Sequence, residues 1–296
     1  MSVEFMIGSD PEVFGVDKTE KNYVSSIGVI TGIQKRILPV KGGGIQEDNV
    51  AFEFNPDPAR TKEEFIYNTT TCFNSLIEYL FERNIFVSKD IFAQFPDSLL
   101  EHRFAKRVGC GPEVSAWDLN IISPPELGNY RVAGGHISIS WDCGEDIESR
   151  INLVRALDYY LAMPLLLVEP RNMRRSFYGK AGSSRPKFIS EGDSFNGVEY
   201  RTLSNFWIWE EDLMSFIYDT VQYCLDVGKA LTHEVYSKRD IIYAALSGSQ
   251  NYNSSLINYF ISQSPFKKNL WEFKAKDMIK NKDNLDLGET LLRNEF

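Results

Sequence analysis

Residues 50–58 read VAFEFNPDP, and the alternation of Phe52 and Phe54 with Glu53 and Asn55 decides the fold class. Side chains two apart in an extended strand share a face, so the phenylalanines point to a core and the polar pair points away from it. The same alternation recurs elsewhere. Asp10 and Glu12 share a face across Pro11; His136, Ser138 and Ser140 oppose Ile137 and Ile139; Glu199 and Arg201 oppose Val198 and Tyr200. Four separate strands thus offer carboxylates, an imidazole and a guanidinium from one surface, with core behind it. Any one segment is also what a half-solvated antiparallel sheet looks like, so it is their sum that points to a site. Glycines adjoin three of the four strands, at Gly8, Gly42 to Gly44 and Gly134-Gly135, where the backbone turns tightly or lets a ligand approach.

Outward from these strands the period changes. Val3 to Ile7, Glu12 to Val16 and Arg36 to Val40 read as extended, and Asp57-Pro58 opens a helix. From Thr61 to Arg83, Phe65, Cys72, Phe73, Leu76, Leu80 and their neighbours recur at helical spacing, and further helices are predicted from about Asp146 to Leu167 and from Glu210 to about Leu231. Between them, residues 172–187 (NMRRSFYGKAGSSRPK) have no apolar period and read as a loop. Its Arg174, Arg175, Lys180, Arg185 and Lys187, set among Gly179, Ala181 and Gly182, can wrap an anion. The expectation is an α+β chain: an open, mainly antiparallel sheet with a concave site face, helices on its back and a helical C-terminal region. Residues 1–235 are assigned to the catalytic domain and 236–296 to a helical extension that can belong to the same domain. No repeat or Pro- or Ser-rich linker divides the chain.

Composition limits the function. The 296 residues are 43% hydrophobic and 25% charged, which suits a globular protein and not a disordered one. The net charge of -9 argues against nucleic acid as partner. The longest apolar run, Leu161 to Val168, is too short to span a bilayer and contains Pro164, so a cytoplasmic protein without a membrane partner is expected. Cys72, Cys110, Cys143 and Cys224 form no CxxC pair and read as reduced, mostly buried thiols. The lysines of residues 266–282 read as a solvated helical face, and His102 and His233 as surface histidines.

Carboxylates gathered on one surface repel and raise each other's pKa. A divalent cation, magnesium or manganese, relieves this, accepts hard oxygen ligands and keeps positions open for phosphates. Arginine forks at Arg174, Arg185 and Arg201 match phosphate oxygens, which points to a nucleotide. Neither GxxxxGK[ST] nor GxGxxG follows a strand, so phosphate capture rests on metals and arginines.

Taken in order, SDPEVF, VAFEFNPDP, GGHISIS, YGKAGSSRPK and GVEYRTLSNFW resemble the glutamine synthetase and glutamate–cysteine ligase superfamily, and most closely its phage-type carboxylate–amine ligases, over most of residues 5–207. The resemblance implies a glutamine synthetase-like sheet and an ATP-dependent carbon–nitrogen ligase with magnesium or manganese. It implies metal ligation by Asp10, Glu12, Glu53, His136 and Glu199, nucleotide contacts by Arg174, Lys180, Arg185 and Arg201, and catalytic roles for Glu53, Arg185 and Arg201. The partners implied are a small-molecule or peptide carboxylate and an amine, in the host cytoplasm if the chain is viral. Two positions depart from the pattern: Asp10 stands where Glu is usual, and Ser138 where Asn or His is usual. The segment Cys110 to Asp118 either contacts substrate or forms a core edge. Two alternatives stay open from the residues themselves: a metal-dependent hydrolase, and a non-catalytic viral binding protein that keeps the fold.

Overall fold

The computed structural model describes residues 2–106, 113–123, 126–170, 173–188, 196–227, 232–247 and 254–277. One sheet sets Phe5–Ser9, Ile137–Trp141, Asn196–Tyr200, Ser183–Phe188, Glu113–Ser115 and Ile121–Ile122 side by side in that order. A second sets Tyr23–Val24, Glu12–Asp17, Ala51–Pro56, Gly43–Asp48 and Leu38–Val40 together, with Ile85–Ser88 also pairing Glu12–Asp17. Phe92–Gln94 and Tyr130–Val132 form a separate ribbon. The pairings are antiparallel.

The two large sheets meet at Asp10-Pro11-Glu12. Asp10 N donates to His136 O at 3.3 Å, Glu12 N to Gly134 O at 2.8 Å, and Phe54 N to Pro11 O at 3.1 Å. Pro11, with no N–H of its own, leaves no donor stranded at the crossover. The result is a mixed α/β molecule whose antiparallel strands curl into a half-barrel, with several helices packed behind.

Register places the polar residues. Glu12 lies opposite Glu53 and Glu53 opposite Gln46. Ser138 lies opposite both Gly8 and Glu199, and Glu199 opposite Arg185. Behind them Phe52, Phe54, Ile137, Ile139, Val198 and Tyr200 enter one hydrophobic cluster. Helix Lys62–Phe81 closes that cluster with Phe65, Cys72, Phe73, Leu76 and Leu80. Its start is fixed by a capping box: Glu64 N donates to Thr61 Oγ1 (3.2 Å) and Thr61 N to Glu64 Oε2 (3.2 Å). Helices Arg239–Ser247 and Ser254–Gln263 add Ile242, Leu246, Phe260 and Ile261 to the same cluster. Among the described residues no helix is long and apolar enough to cross a membrane.

Two expectations need correction, and one is sharpened. The tight turn expected at Gly42 to Gly44 falls at Gly42, φ +82°, between Leu38–Val40 and Gly43–Asp48; Gly43 already belongs to the second strand, at φ +148°, and a Cβ there would lie 2.1 Å from Asn55 O. Only glycine lets these backbones pair so closely. The basic stretch is not one loop, because Arg174–Phe177 is a helical turn and Ser183–Phe188 a strand that pairs with Asn196–Tyr200. The helix expected to Leu167 runs as Ile147–Leu157, then widens into a π-turn at Asp158–Ala162 before Met163–Leu165. The helix Glu211–Val227 matches the predicted start, and residues 228–231 lie outside the described set.

Candidate active site

The crossover at Asp10-Pro11-Glu12 puts one carboxylate on each side of the seam. On one side Asp10, His136 and Glu199 bring ligand atoms within 4.8 Å of one another. His136 Nδ1 is 3.4 Å from Asp10 Oδ1 and 3.8 Å from Glu199 Oε1. Its other nitrogen, Nε2, lies 3.2 Å from the Tyr178 hydroxyl. For Nδ1 to accept a cation, the ring proton must sit on Nε2 and be donated to Tyr178, so Tyr178 is the orienting partner of that ligand.

Arg201 organises this side. Its guanidinium is fully buried and donates to Glu113 Oε1 at 2.7 Å, to Glu199 Oε1 and to the Tyr178 hydroxyl. Arg185 adds three bonds to Glu199, at 2.8, 3.0 and 3.3 Å, and Lys187 stands 3.7 Å away. Burial works against the Glu199 carboxylate, yet Arg201, with His136, Arg185 and Lys187, pulls its pKa down to about 2. Glu113 is lowered too, its burial outweighed by Arg201 and by the Ser183 hydroxyl.

Across the seam Glu12, Asp48 and Glu53 also lie within 4.8 Å of one another. Here acid predominates. Burial first, then the neighbouring Asp48, Asp10 and Glu12, push Glu53 well above the usual carboxylate range against the pull of Lys35. Glu12 is raised for the same leading reason, with Asp48 next. Lys35 Nζ reaches Glu53 Oε2 at 2.9 Å and also pairs with Asp48, while Gln46 Nε2 donates to Glu53 Oε1 at 2.6 Å. A cleft bordered by Glu12, Asp48, Phe14, Val50, Tyr178 and Arg201 opens beside both clusters. The donor sets fit divalent cations: three carboxylates suit magnesium, and the set with an imidazole suits manganese.

The structure therefore brings together Asp10, Glu12, Glu53, His136, Glu199, Arg185 and Arg201. Arg174 lies at their edge, 5.5 Å from the Tyr178 ring and within electrostatic reach of Glu12, and its buried guanidinium donates to backbone, to Thr202 O (3.1 Å) and Leu203 O (2.8 Å). Arg175 likewise pairs with Glu169 at 2.5 Å. Lys180 is tied in through its carbonyl, which accepts from Thr202 Oγ1 and Ser183 N, both at 3.1 Å. The anion-wrapping loop is thus replaced by two structural arginines and a strand. In the segment expected to contact substrate or form a core edge, Glu113 pairs with Arg201 on the site's face and Trp117 is buried behind it. Residues 110–112 lie outside the described set. His102 and His233 are exposed, and of the thiols Cys72 and Cys224 are buried and Cys143 exposed.

Sequence reasoning missed Lys35, Gln46, Asp48 and Tyr178. Asp48 and Gln46 belong to a strand hidden by its glycine-rich start and by the consecutive polar residues Gln46, Glu47 and Asp48, which show no alternation of polar with apolar. Lys35 and Tyr178 arrive from outside any periodic segment.

This is a curled antiparallel sheet with clustered acids, a histidine and arginines on one face. The family model described as phage phiEco32-like COOH.NH2 ligase-type 2 matches residues 125–269, just under half of the chain, and supports a phage-type carboxylate–amine ligase. The matched span includes His136, Tyr178, Arg185, Glu199 and Arg201. No curated protein matches the sequence.

Proposed function

We propose that the chain is an ATP-dependent carboxylate–amine ligase on a glutamine synthetase-like sheet, joining an amino acid or peptide carboxylate to an amine. The observation that carries this reading is the pair of donor clusters, Asp10 with His136 and Glu199, and Glu12 with Asp48 and Glu53, on one face beside Arg201. Magnesium or manganese held by these residues would neutralise a polyphosphate and leave coordination positions for its oxygens. The substrate carboxylate oxygen attacks the terminal phosphorus and ADP leaves; the amine nitrogen then attacks the acyl carbon, the acyl–oxygen bond breaks, and phosphate leaves carrying the proton that the amine gives up as the amide forms.

The chain's own groups divide the work. Arg201, held at Glu113, Glu199 and Tyr178, is a fixed positive charge beside the clusters. Arg185 has a side chain 25% exposed against 1% for Arg201, so it is the arginine able to swing from Glu199 to a phosphate. Phe14 and Val50 give the cleft an apolar wall beside its charged residues. A reaction drawing on ATP also suits the cytoplasm, the host's if the chain is viral.

The test is ADP release from ATP and magnesium across pools of amino acids and peptides. The expected result is release that needs both an acid and an amine, with oxygen-18 passing from labelled carboxylate to phosphate. Amide or ester hydrolysis without ATP would overturn this reading in favour of a hydrolase.

A further inference from the structure

We propose that Lys35 is a tethered cation that occupies the Glu12, Asp48 and Glu53 cluster and must be displaced before a divalent ion binds there, so that it sets the affinity of that position. This rests on the reading that the cluster takes a divalent cation.

The Lys35 ammonium sits on two of the three carboxylates, 2.9 Å from Glu53 Oε2 and paired with Asp48. A divalent ion needs those same oxygens, and a monovalent charge a few ångströms from it repels it strongly. The two cannot share the position.

The placement of Lys35 is built into the fold. The strand Gly43–Asp48 turns Gln46 and Asp48 to the site and Glu47 to the opposite face. There Glu47 is fully buried, and its Oε1 accepts from the N–H groups of Gly28, Ile30, Thr31 and Gly32 at 2.9 to 3.2 Å. Its carbonyl accepts from Lys35 N at 3.0 Å. One strand residue thus anchors the loop that carries the ammonium, while its two neighbours line the site that the ammonium enters. The anchor holds the backbone and not the amine. The Lys35 side chain is 46% exposed, so rotation about its own bonds can carry the ammonium into water without loss of the Glu47 contacts.

A second consequence is economy of folding. Glu53 is 4% exposed, and a buried carboxylate cluster with no counter-charge is costly. Lys35 offsets part of that cost before any ion arrives and gives up its place afterwards.

The experiment measures manganese binding by electron paramagnetic resonance to the wild-type chain, Lys35→Met and Lys35→Arg, with folding checked by circular dichroism. Lys35→Met is expected to bind manganese at least tenfold tighter at this position, Lys35→Arg to stay near wild type, and Glu53→Gln added to Lys35→Met to erase the gain. On the unmodified chain, acylation of the Lys35 amine by an activated ester, read by mass spectrometry, is expected to rise severalfold when magnesium is added. Equal or weaker binding by folded Lys35→Met, or Lys35 reactivity that magnesium leaves unchanged, overturns the proposal. If both chains bind manganese equally, the tethered cation fails and the cation reading survives. If neither binds, both fail.

Discussion

Asp158 is the perturbation that separates a scaffold of hydrogen bonds from a scaffold of charge. It sits fully buried at the start of the π-turn and accepts four hydrogen bonds. Trp117 Nε1 and Gly182 N donate to Oδ2, both at 2.6 Å; Tyr200 OH and Thr202 Oγ1 donate to Oδ1, at 2.6 and 3.3 Å. These donors belong to the segments that carry Glu113, Ser183, Glu199 and Arg201, so one carboxylate ties together the backs of three site strands. Asp158→Ala leaves at least Trp117, Gly182 and Tyr200 without an acceptor. At about 1 to 3 kcal/mol each that is roughly 3 to 9 kcal/mol, a large part of the stability of a typical domain. Asp158→Asn differs in kind. Its amide oxygen can take the Oδ2 place, where both partners only donate, and its NH₂ the Oδ1 place, where the Tyr200 and Thr202 hydroxyls can turn to accept. Burial raises the Asp158 pKa from 3.8 to about 6 despite those hydrogen bonds. At about 1.4 kcal/mol per tenfold change in proton affinity, ionisation costs the fold roughly 3 kcal/mol, which the neutral amide avoids. The folded state holds the proton more tightly than the unfolded one, so stability from this group falls as pH rises from about 4 to about 6 and is level above. Urea unfolding of wild type and Asp158→Asn at pH 4.5, 5.5 and 7 reads this directly. At pH 7 the amide variant is expected within about 1.5 kcal/mol of wild type, with wild type gaining relative to it as pH falls. An Asp158→Asn as unstable as Asp158→Ala, or a difference that does not move with pH, refutes the reasoning.

Three other substitutions probe the front of the sheet. Arg201→Ala leaves Glu113 and Glu199 buried without their main partner and is expected to cost about 3 to 5 kcal/mol in urea unfolding, with Arg201→Lys recovering part of it; a change under about 1 kcal/mol would show that water replaces the guanidinium freely. Glu53→Gln keeps a polar contact with Gln46 and removes a like charge, so thermal unfolding should move little while manganese binding at the Glu12 and Asp48 side is lost; unfolding of this variant would mark Glu53 as a structural residue. Tyr178→Phe removes the acceptor that orients His136 and is expected to weaken manganese binding at Asp10, His136 and Glu199 by about 10- to 100-fold with the fold intact; unaltered affinity would show that the ring is held by other contacts.

Alternation made the strand faces legible from the sequence, because a period of two tells which side chains converge wherever the strand is long enough to display it. The pairing of Glu12 with Glu53 and of Ser138 with Glu199 follows that pattern in the observed register. What stayed hidden depends on contacts without a local period. Arg174 has the same side chain as Arg201, yet it meets carbonyls at Thr202 and Leu203 while Arg201 meets carboxylates. Arg201 continues an alternating strand and Arg174 lies in a stretch without a period, but what each guanidinium meets is decided only by three-dimensional closure. Gly43–Asp48 stayed hidden because its opening glycines read as a turn, and only the 2.1 Å approach of a Gly43 Cβ to Asn55 O shows that they permit strand pairing instead.

Clustered carboxylates repel, and the remedy read from the sequence is a divalent ion. The structure divides the problem in two. On the His136 side Glu113 and Glu199 are already matched by Arg185, Lys187 and Arg201, and both acids are held below their ordinary pKa. This side keeps its charge with no ion bound, so a cation entering there must share Glu199 with arginines. On the other side Lys35 pairs directly with Asp48 and Glu53, His136 acts on Glu12 from across the seam, and Glu12 and Glu53 are still held above their ordinary pKa. An ion entering there relieves an existing penalty, and its gain is limited by the proton and the ammonium it displaces. The two clusters lie across one crossover and share a seam at Asp10 and Glu12, yet they differ in what holds their charge. That difference follows from where the chain spends its basic residues: three on the strands beside Glu199, and one on a loop that can let go.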